Sequence, residues 1–206
     1  MKRMDERKIF LRGFEQDDYI LINRWRNDLE IQKFLSGNFR YVSLEIEKEW
    51  VKQKMMNNTK EIYLSICIND DTRKMIGYVS INDIDYVNRS AHGGGIIIGD
   101  KQYRDGEIRH EVGMMVRELA FDHLNLNRFT GACLAVHKTS RIMMEAYGFQ
   151  LEGLKRQAVY KNGVYHDQLI FSLLRDDYYR LLKEGRYTLI NFAKQVEIVR
   201  KQLRNE

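Results

Sequence analysis

Proline is missing altogether from the 206 residues, where about 5% would be ordinary. That excludes cis-proline turns and proline-rich linkers, so chain reversals fall to Gly, Asn and Asp. Cysteine is scarce: Cys67 and Cys133 stand apart, with no Cys-x-x-Cys pair. A disulfide framework and a cysteine zinc site are therefore excluded, and a cytoplasmic location is expected. His92, His110, His123, His137 and His166 never form His-x-x-x-His, so no metal is expected. There is no Walker loop and no Gly-x-Ser-x-Gly elbow. No apolar run of about 18 residues exists, which excludes a transmembrane helix, and Met1–Lys8 lacks the apolar stretch of a signal peptide. Thirty-four basic against 29 acidic residues leave a net charge of +5, without the dense basic stripe of a nucleic-acid binder. Neither nucleic acid nor a membrane is expected as a partner.

The chain does carry the composition of a globule, 44% apolar and 31% charged. Ile9–Phe14 reads as a strand. Asp17-Asp18 opens a helix with Leu21, Trp25 and Leu29 at i, i+4, i+8. Ser43 caps a second helix that places Ile46 and Trp50 on one face. Ile62 to Ile68 alternates, and Met75 to Ile81 follows a turn, giving a hairpin. Gly93 to Gly99 is a further strand whose glycines imply a bulge or a close backbone approach. A long helix starts near Glu107. Phe129–Val136 is a strand, Thr139–Tyr147 a short helix, and Asn162-Gly163 turns a hairpin between Gln157–Tyr160 and Tyr165–Leu174. The order predicts an α+β domain over 1–180. Residues 181–206, with a net charge of +3, form an amphipathic basic helix carrying Leu189, Phe192, Val196 and Val199. That helix either packs back on its own domain or supports a homodimer, with membrane-surface binding a third alternative.

Two stretches bear on chemistry. Gly99 to Arg109 joins an apolar strand to a long helix through a basic, glycine-containing loop. Such a junction aims unpaired amides and a helix dipole at an anion. The second stretch runs from Leu126 through His137-Lys138-Thr139-Ser140 to Tyr147-Gly148-Phe149. Together with Trp25-Arg26-Asn27, Ile76-Gly77 and Tyr165-His166-Asp167, these stretches make the chain, from about Ile9 to Leu174, resemble the GNAT superfamily of N-acetyltransferases. The branch is that of ribosomal-protein alanine and spermidine N-acetyltransferases.

The resemblance implies a mixed, twisted central sheet with splayed fourth and fifth strands and flanking helices. It implies acetyl-CoA as cosubstrate, its pantetheine along Ile97, Ile98 and Gly99. The pyrophosphate would lie on the amides of Arg104, Asp105, Gly106, Glu107, Ile108 and Arg109, and the adenosine end would pass Ser140 and Arg141. A primary amine would attack the thioester. Several positions depart from the family pattern: Glu107 and Arg109 replace small residues, His137 an asparagine, Met144 a tyrosine acid, and Val159 falls near a glutamate base. Ser140 matches a serine acid of the ribosomal branch.

The chemistry then follows from need. A protonated amine must lose a proton before attack, and His92 is the candidate base. A strand N–H near Ile97 or Ile98 would meet the oxyanion. Ser140 would protonate the thiolate or only cap its helix, and His137 would touch cofactor or substrate. Trp25, Arg26 and Asn27 suit a polar acceptor: a small amine, an amino sugar or a peptide N-terminus. The acidic residues of the first helices are too interleaved with basic ones to favour a polycation. The competing reading is a non-catalytic, CoA-binding or partner-binding GNAT-like module.

Overall fold

The computed structural model describes residues 6–33, 35 and 37–204. Seven strands form one sheet: β1 (Ile9–Gly13), β2 (Ile62–Ile68), β3 (Met75–Asp85), β4 (Ser90–Ile98), β5 (Arg128–Leu134), β6 (Gln150–Lys161) and β7 (Val164–Leu174), ordered β1-β2-β3-β4-β5-β7-β6. Every pairing is antiparallel except β4–β5, which is parallel. That pair is held only by Ser90–His92 against Arg128–Thr130. Beyond those residues the two strands part, so Ile97 and Leu134 flank a gap, as the fold reading required.

A bulge initiates the divergence. Ile81 pairs with Gly93 but Val79 with Ile96, so Gly94 and Gly95 together face Ser80. Gly95 takes φ +94°, which favours glycine.

One face of the sheet is covered by α4 (Gly106–Glu118), α5 (Lys138–Ala146), α6 (Arg175–Lys183) and α7 (Leu189–Gln202). Their core includes Ile66, Ile81, Val112, Phe121, Leu126, Phe171 and Tyr178. The other face carries α1 (Asp18–Arg26), α2 (Leu29–Gln32) and α3 (Leu44–Met56), packed through Ile22, Trp25, Val51 and Tyr78.

Several expectations change. Asp18 is buried in a bidentate pair with Arg12 and accepts from Ser65 Oγ at 2.7 Å, so it anchors α1 to β1 and β2 rather than only serving the dipole. The stripe on α1 is Ile22 and Trp25; Leu29 lies in α2 and is exposed. On α3 the inward residues are Glu47 and Val51, and Ile46 faces solvent. Strand β6 starts at Gln150, seven residues before the expected start.

The C-terminal helix folds back on its own domain. Phe192 stacks on His110 at 4.4 Å and lies 4.2 Å from Tyr147. The boundary expected at 180/181 falls inside α6, and Leu181, Tyr187 and Phe192 belong to the main core. Of the four residues expected to be buried, Phe192 and Val199 are, whereas Leu189 stays 41% exposed. Among the described residues no helix is long and apolar enough to cross a membrane, and no cluster of three potential metal ligands occurs.

Candidate active site

His92 closes the pointed end of the gap, directly beside Thr130 on β5. Its Nδ1 lies 3.1 Å from Thr130 Oγ1, and that hydroxyl donates to Ala91 O at 3.1 Å. With the hydroxyl proton committed to Ala91, its oxygen accepts from Nδ1–H, and the Nε2 lone pair is left available. Partial burial lowers the His92 pKa below its ordinary 6.5, with Lys155 reinforcing and Asp83 opposing the shift. The imidazole is therefore neutral at pH 7, the form a base must have.

The β4 main chain supplies the second element. Gly99 N–H donates to Ile76 O at 2.8 Å, and Arg104 Nε donates to Ile98 O at 2.9 Å. Successive main-chain groups of a strand point to opposite edges, so Ile98 turns its N–H away from β3, toward the gap. Ile97 turns its own N–H back to β3. Of the two amides expected near an oxyanion, only that of Ile98 faces the gap.

Gly99 packs flat against Trp25: a Cβ there would lie 2.1 Å from the indole. Trp25, stacked also over Tyr78, is a buried core residue on the α1–α3 face of the sheet. Asn27 is a clasp, its Oδ1 accepting from Val42 N–H at 3.0 Å and its Nδ2 donating to Val42 O at 2.9 Å. Arg26 stacks on Trp50 at 3.8 Å and sits 3.3 Å from the buried Glu47 carboxylate. Of the three expected acceptor contacts, only Arg26 keeps a partly exposed charge.

The loop before α4 differs from expectation in detail. Arg104 spends its guanidinium on Ile98 O and Gly99 O, at 2.9 and 3.0 Å, fixing the end of β4 rather than waiting for a phosphate. Asp105 is the N-cap of α4 and takes the Ile108 amide at 2.7 Å. The Arg109 amide bonds Asp105 O. The amides of Asp105 and Gly106 have no acceptor among the described residues, and nothing lies within 4 Å of a Cβ built on Gly106. Glu107 turns toward β1 and pairs with Lys8 at 2.6 Å, away from the helix front. Arg109 is exposed on the first turn. An open helix N-terminus beside a strand gap with an outward amide fits acetyl-CoA; the acidic cap narrows the anion seat to fewer amides than expected.

On the far wall, Ser140 is half-buried in the first turn of α5 and its Oγ makes no hydrogen bond among the described residues. The N-cap is His137, whose side chain makes no cap bond. Ser140 therefore does not cap the helix. Met144 packs toward Gly131, its Cε 3.3 Å from a Cβ built there, so a thioether fills the place of the tyrosine acid. Val159 pairs with His166 and offers no carboxylate. Burial, with Lys161 and His166 nearby, lowers the His137 pKa.

Sequence reasoning missed Lys161 and Asn82. Lys161 is buried and donates to Gln32 O at 3.1 Å, Lys33 O at 3.0 Å and Leu35 O, pinning the α2–α3 connection to the β6–β7 hairpin. Asn162 N–H adds a bond to Asn38 Oδ1 at 2.9 Å.

A mixed sheet opened between β4 and β5, with a histidine at the closed end of the gap, is the arrangement that the resemblance to acyl-group transferases leads one to expect. The profile of the acetyltransferase (GNAT) domain matches residues 8–150, and the chain belongs to that family. A Bacillus subtilis (strain 168) protein described as a putative ribosomal N-acetyltransferase, YdaF, is 34% identical over 105 residues, covering 50% of this chain and 56% of its own length. The uncharacterized N-acetyltransferase YoaA of the same organism is 30% identical over 105 residues, covering 51% and 58%. The chain thus spans little more than half the length of these two relatives. Among solved structures, the spermidine N-acetyltransferase of Vibrio cholerae in complex with CoA and spermine superposes with a TM-score of 0.75 at 22% identity, covering 84% of this chain and 98% of that one. A probable acetyltransferase gives 0.73 at 24% identity, covering 85% and 97%. At these identities the structural likeness concerns the fold.

Proposed function

We propose that this chain transfers the acetyl group of acetyl-CoA to a primary amine by direct attack on the thioester. The observation that carries the reading is His92: neutral, oriented by Thr130, with Nε2 available where β4 and β5 separate. Family membership and the likeness to a fold that holds CoA support the cosubstrate, which supplies an activated acetyl group. The pantetheine would run along Ile97, Ile98 and Gly99, and the pyrophosphate would meet the Asp105 and Gly106 amides with Arg109 alongside.

His92 Nε2 takes a proton from the bound ammonium, leaving a nucleophilic nitrogen. The Ile98 N–H stabilises charge on the carbonyl oxygen as the N–C bond forms. The C–S bond then breaks, and the departing thiolate, of thiol pKa about 8.5, needs little acid help; Ser140 Oγ is the hydroxyl assigned to it.

For the acceptor we favour a small polar amine, an amino sugar or a protein N-terminus over a polycation. Asp18 is consumed by Arg12, Glu30 pairs with Lys33, and Glu47 is buried beside Arg26, so three of the seven carboxylates along α1 to α3 are already engaged with cations of this chain. One observation favours the non-catalytic alternative: the Asp105 carboxylate occupies an amide at the helix front.

Titration calorimetry with acetyl-CoA, followed by an acceptor screen, tests the reading. Binding should weaken as salt rises, and Arg109→Ala should weaken it more than Glu107→Ala does, because Glu107 is turned to Lys8. No binding at millimolar acetyl-CoA would leave the non-catalytic module.

A further inference from the structure

We propose that Asn82 is an acceptor-positioning residue: its carboxamide accepts the one N–H of the incoming amine that survives in the product amide. The inference rests on the acetyl-transfer reading and adds to it a rule of substrate choice.

Asn82 and His92 are direct cross-strand partners, so their side chains rise side by side from one face of the sheet. It is the face of Tyr78 and Ser80, under α1 and α3, where an acceptor would arrive. Asn82 Oδ1 is buried without a hydrogen-bond donor among the described residues. A buried acceptor left unpaired costs free energy, and native proteins rarely keep one without a use. The surroundings also make room for the group. A Cβ at Gly94 would lie 2.6 Å from Asn82 Nδ2 and 1.9 Å from Ser80 Oγ. Only a glycine in the bulge lets the carboxamide lie there, and Gly94 is itself exposed. The bulge that opens the gap thus seats a polar group next to the base, and rotation about χ2, which is soft for asparagine, turns Oδ1 to the cleft.

The atoms of the transfer give this group a task. A primary ammonium carries three N–H bonds. One proton passes to His92 Nε2, the freed lone pair forms the N–C bond, the C–S bond breaks, and a second proton leaves the nitrogen for the thiolate. The third N–H stays in the amide. A hydrogen bond from that N–H to Asn82 Oδ1 is kept from substrate to product and directs the lone pair at the carbonyl. An N-methyl secondary amine follows the same chemistry with no third N–H, so it cannot use Asn82.

The test compares kcat/KM for one primary amine that the enzyme accepts and for its N-methyl analogue, in wild type, Asn82→Ala and Asn82→Asp. Asn82→Ala should lose about tenfold on the primary amine, the worth of one hydrogen bond, and little on the analogue, with acetyl-CoA affinity by calorimetry unchanged. Asn82→Asp keeps an acceptor oxygen, so it should keep the wild-type preference while its added charge moves the His92 limb of the pH profile upward. Equal losses on both amines, or none, would overturn the role of Asn82 alone. A wild type that binds acetyl-CoA but acetylates no amine would overturn the transfer reading itself.

Discussion

Replacing Lys161 by methionine removes one ammonium and orphans three carbonyls at once. Lys161 is 7% exposed and bonds Gln32 O, Lys33 O and Leu35 O; no carboxylate pairs with it among the described residues. A buried acceptor without a donor costs about 1–3 kcal/mol, and loop carbonyls that regain some water fall at the low end, so the three together cost about 3 kcal/mol. Part of that is returned, because burial penalises the ammonium and lowers its pKa. A net loss of about 2 kcal/mol remains, which for a chain of this size is a fall of about 4–8 °C in Tm. Thermal melts by circular dichroism read it. The same variant releases the α2–α3 connection from the hairpin, so cleavage by protease between residues 33 and 43 should quicken and the acceptor KM should rise while acetyl-CoA affinity holds. An unchanged Tm with unchanged proteolysis would refute the assignment of Lys161 as the pin.

Gly99→Ala puts a Cβ 2.1 Å from the buried Trp25 indole; urea unfolding should show a loss of about 1–3 kcal/mol from overpacking. Glu152, bound by Arg128 and by Ser172 Oγ, has its pKa lowered from 4.5 to about 2. Its folded form favours the charged carboxylate, so the stability it contributes is present above pH 4.5 and is lost as pH falls toward 2. Melts of Glu152→Gln should converge on wild type as the pH falls through that window and differ slightly above it, the pair being partly exposed. Truncation after Gly185 deletes the buried Tyr187 and Phe192, and should cost at least about 5 kcal/mol of core packing. Loss of the cooperative melt, rather than a mere fall in particle mass, is the expected result.

Much of this fold is legible in residue order. The alternation in β2, the Asn162-Gly163 turn and the glycines of β4 mark the sheet and its bulge because strand period and turn chemistry are local properties. What stayed hidden depends on tertiary placement. The first seven residues of β6 carry no clear strand signal because register shifts at Leu151/Gly153 and Lys155/Val159 break the alternation, and Gln157 even takes φ +49°. The inward face of α3 departs from its apolar pattern because it buries a carboxylate, Glu47, while Ile46 faces solvent.

The site divides the same way. His92 could be nominated from its place at the start of β4, and the structure supplies Thr130 as its orienting partner. The resemblance implies a pyrophosphate on the main-chain amides from Arg104 to Arg109; which of those amides local bonds already occupy, such as Ile108 on the Asp105 carboxylate and Arg109 on the Asp105 carbonyl, only the folded loop reveals. Asn82 had one sequence signal, the polar period Ser80, Asn82 alternating with apolar Val79 and Ile81. Lys161 had none, since its carbonyl partners lie about 130 residues away in the chain.

The most direct measurement is the pH dependence of kcat/KM for acetyl transfer to an accepted amine, followed by CoA thiol release, in wild type and in His92→Gln. In wild type the activity should rise with a limb below pH 6.5, since burial lowers the His92 pKa, and again at higher pH as the free amine becomes common. His92→Gln should lose the lower limb and about a hundredfold or more of the rate near neutrality, the deficit shrinking at high pH. A variant that keeps the wild-type rate and both limbs would contradict His92 as the base.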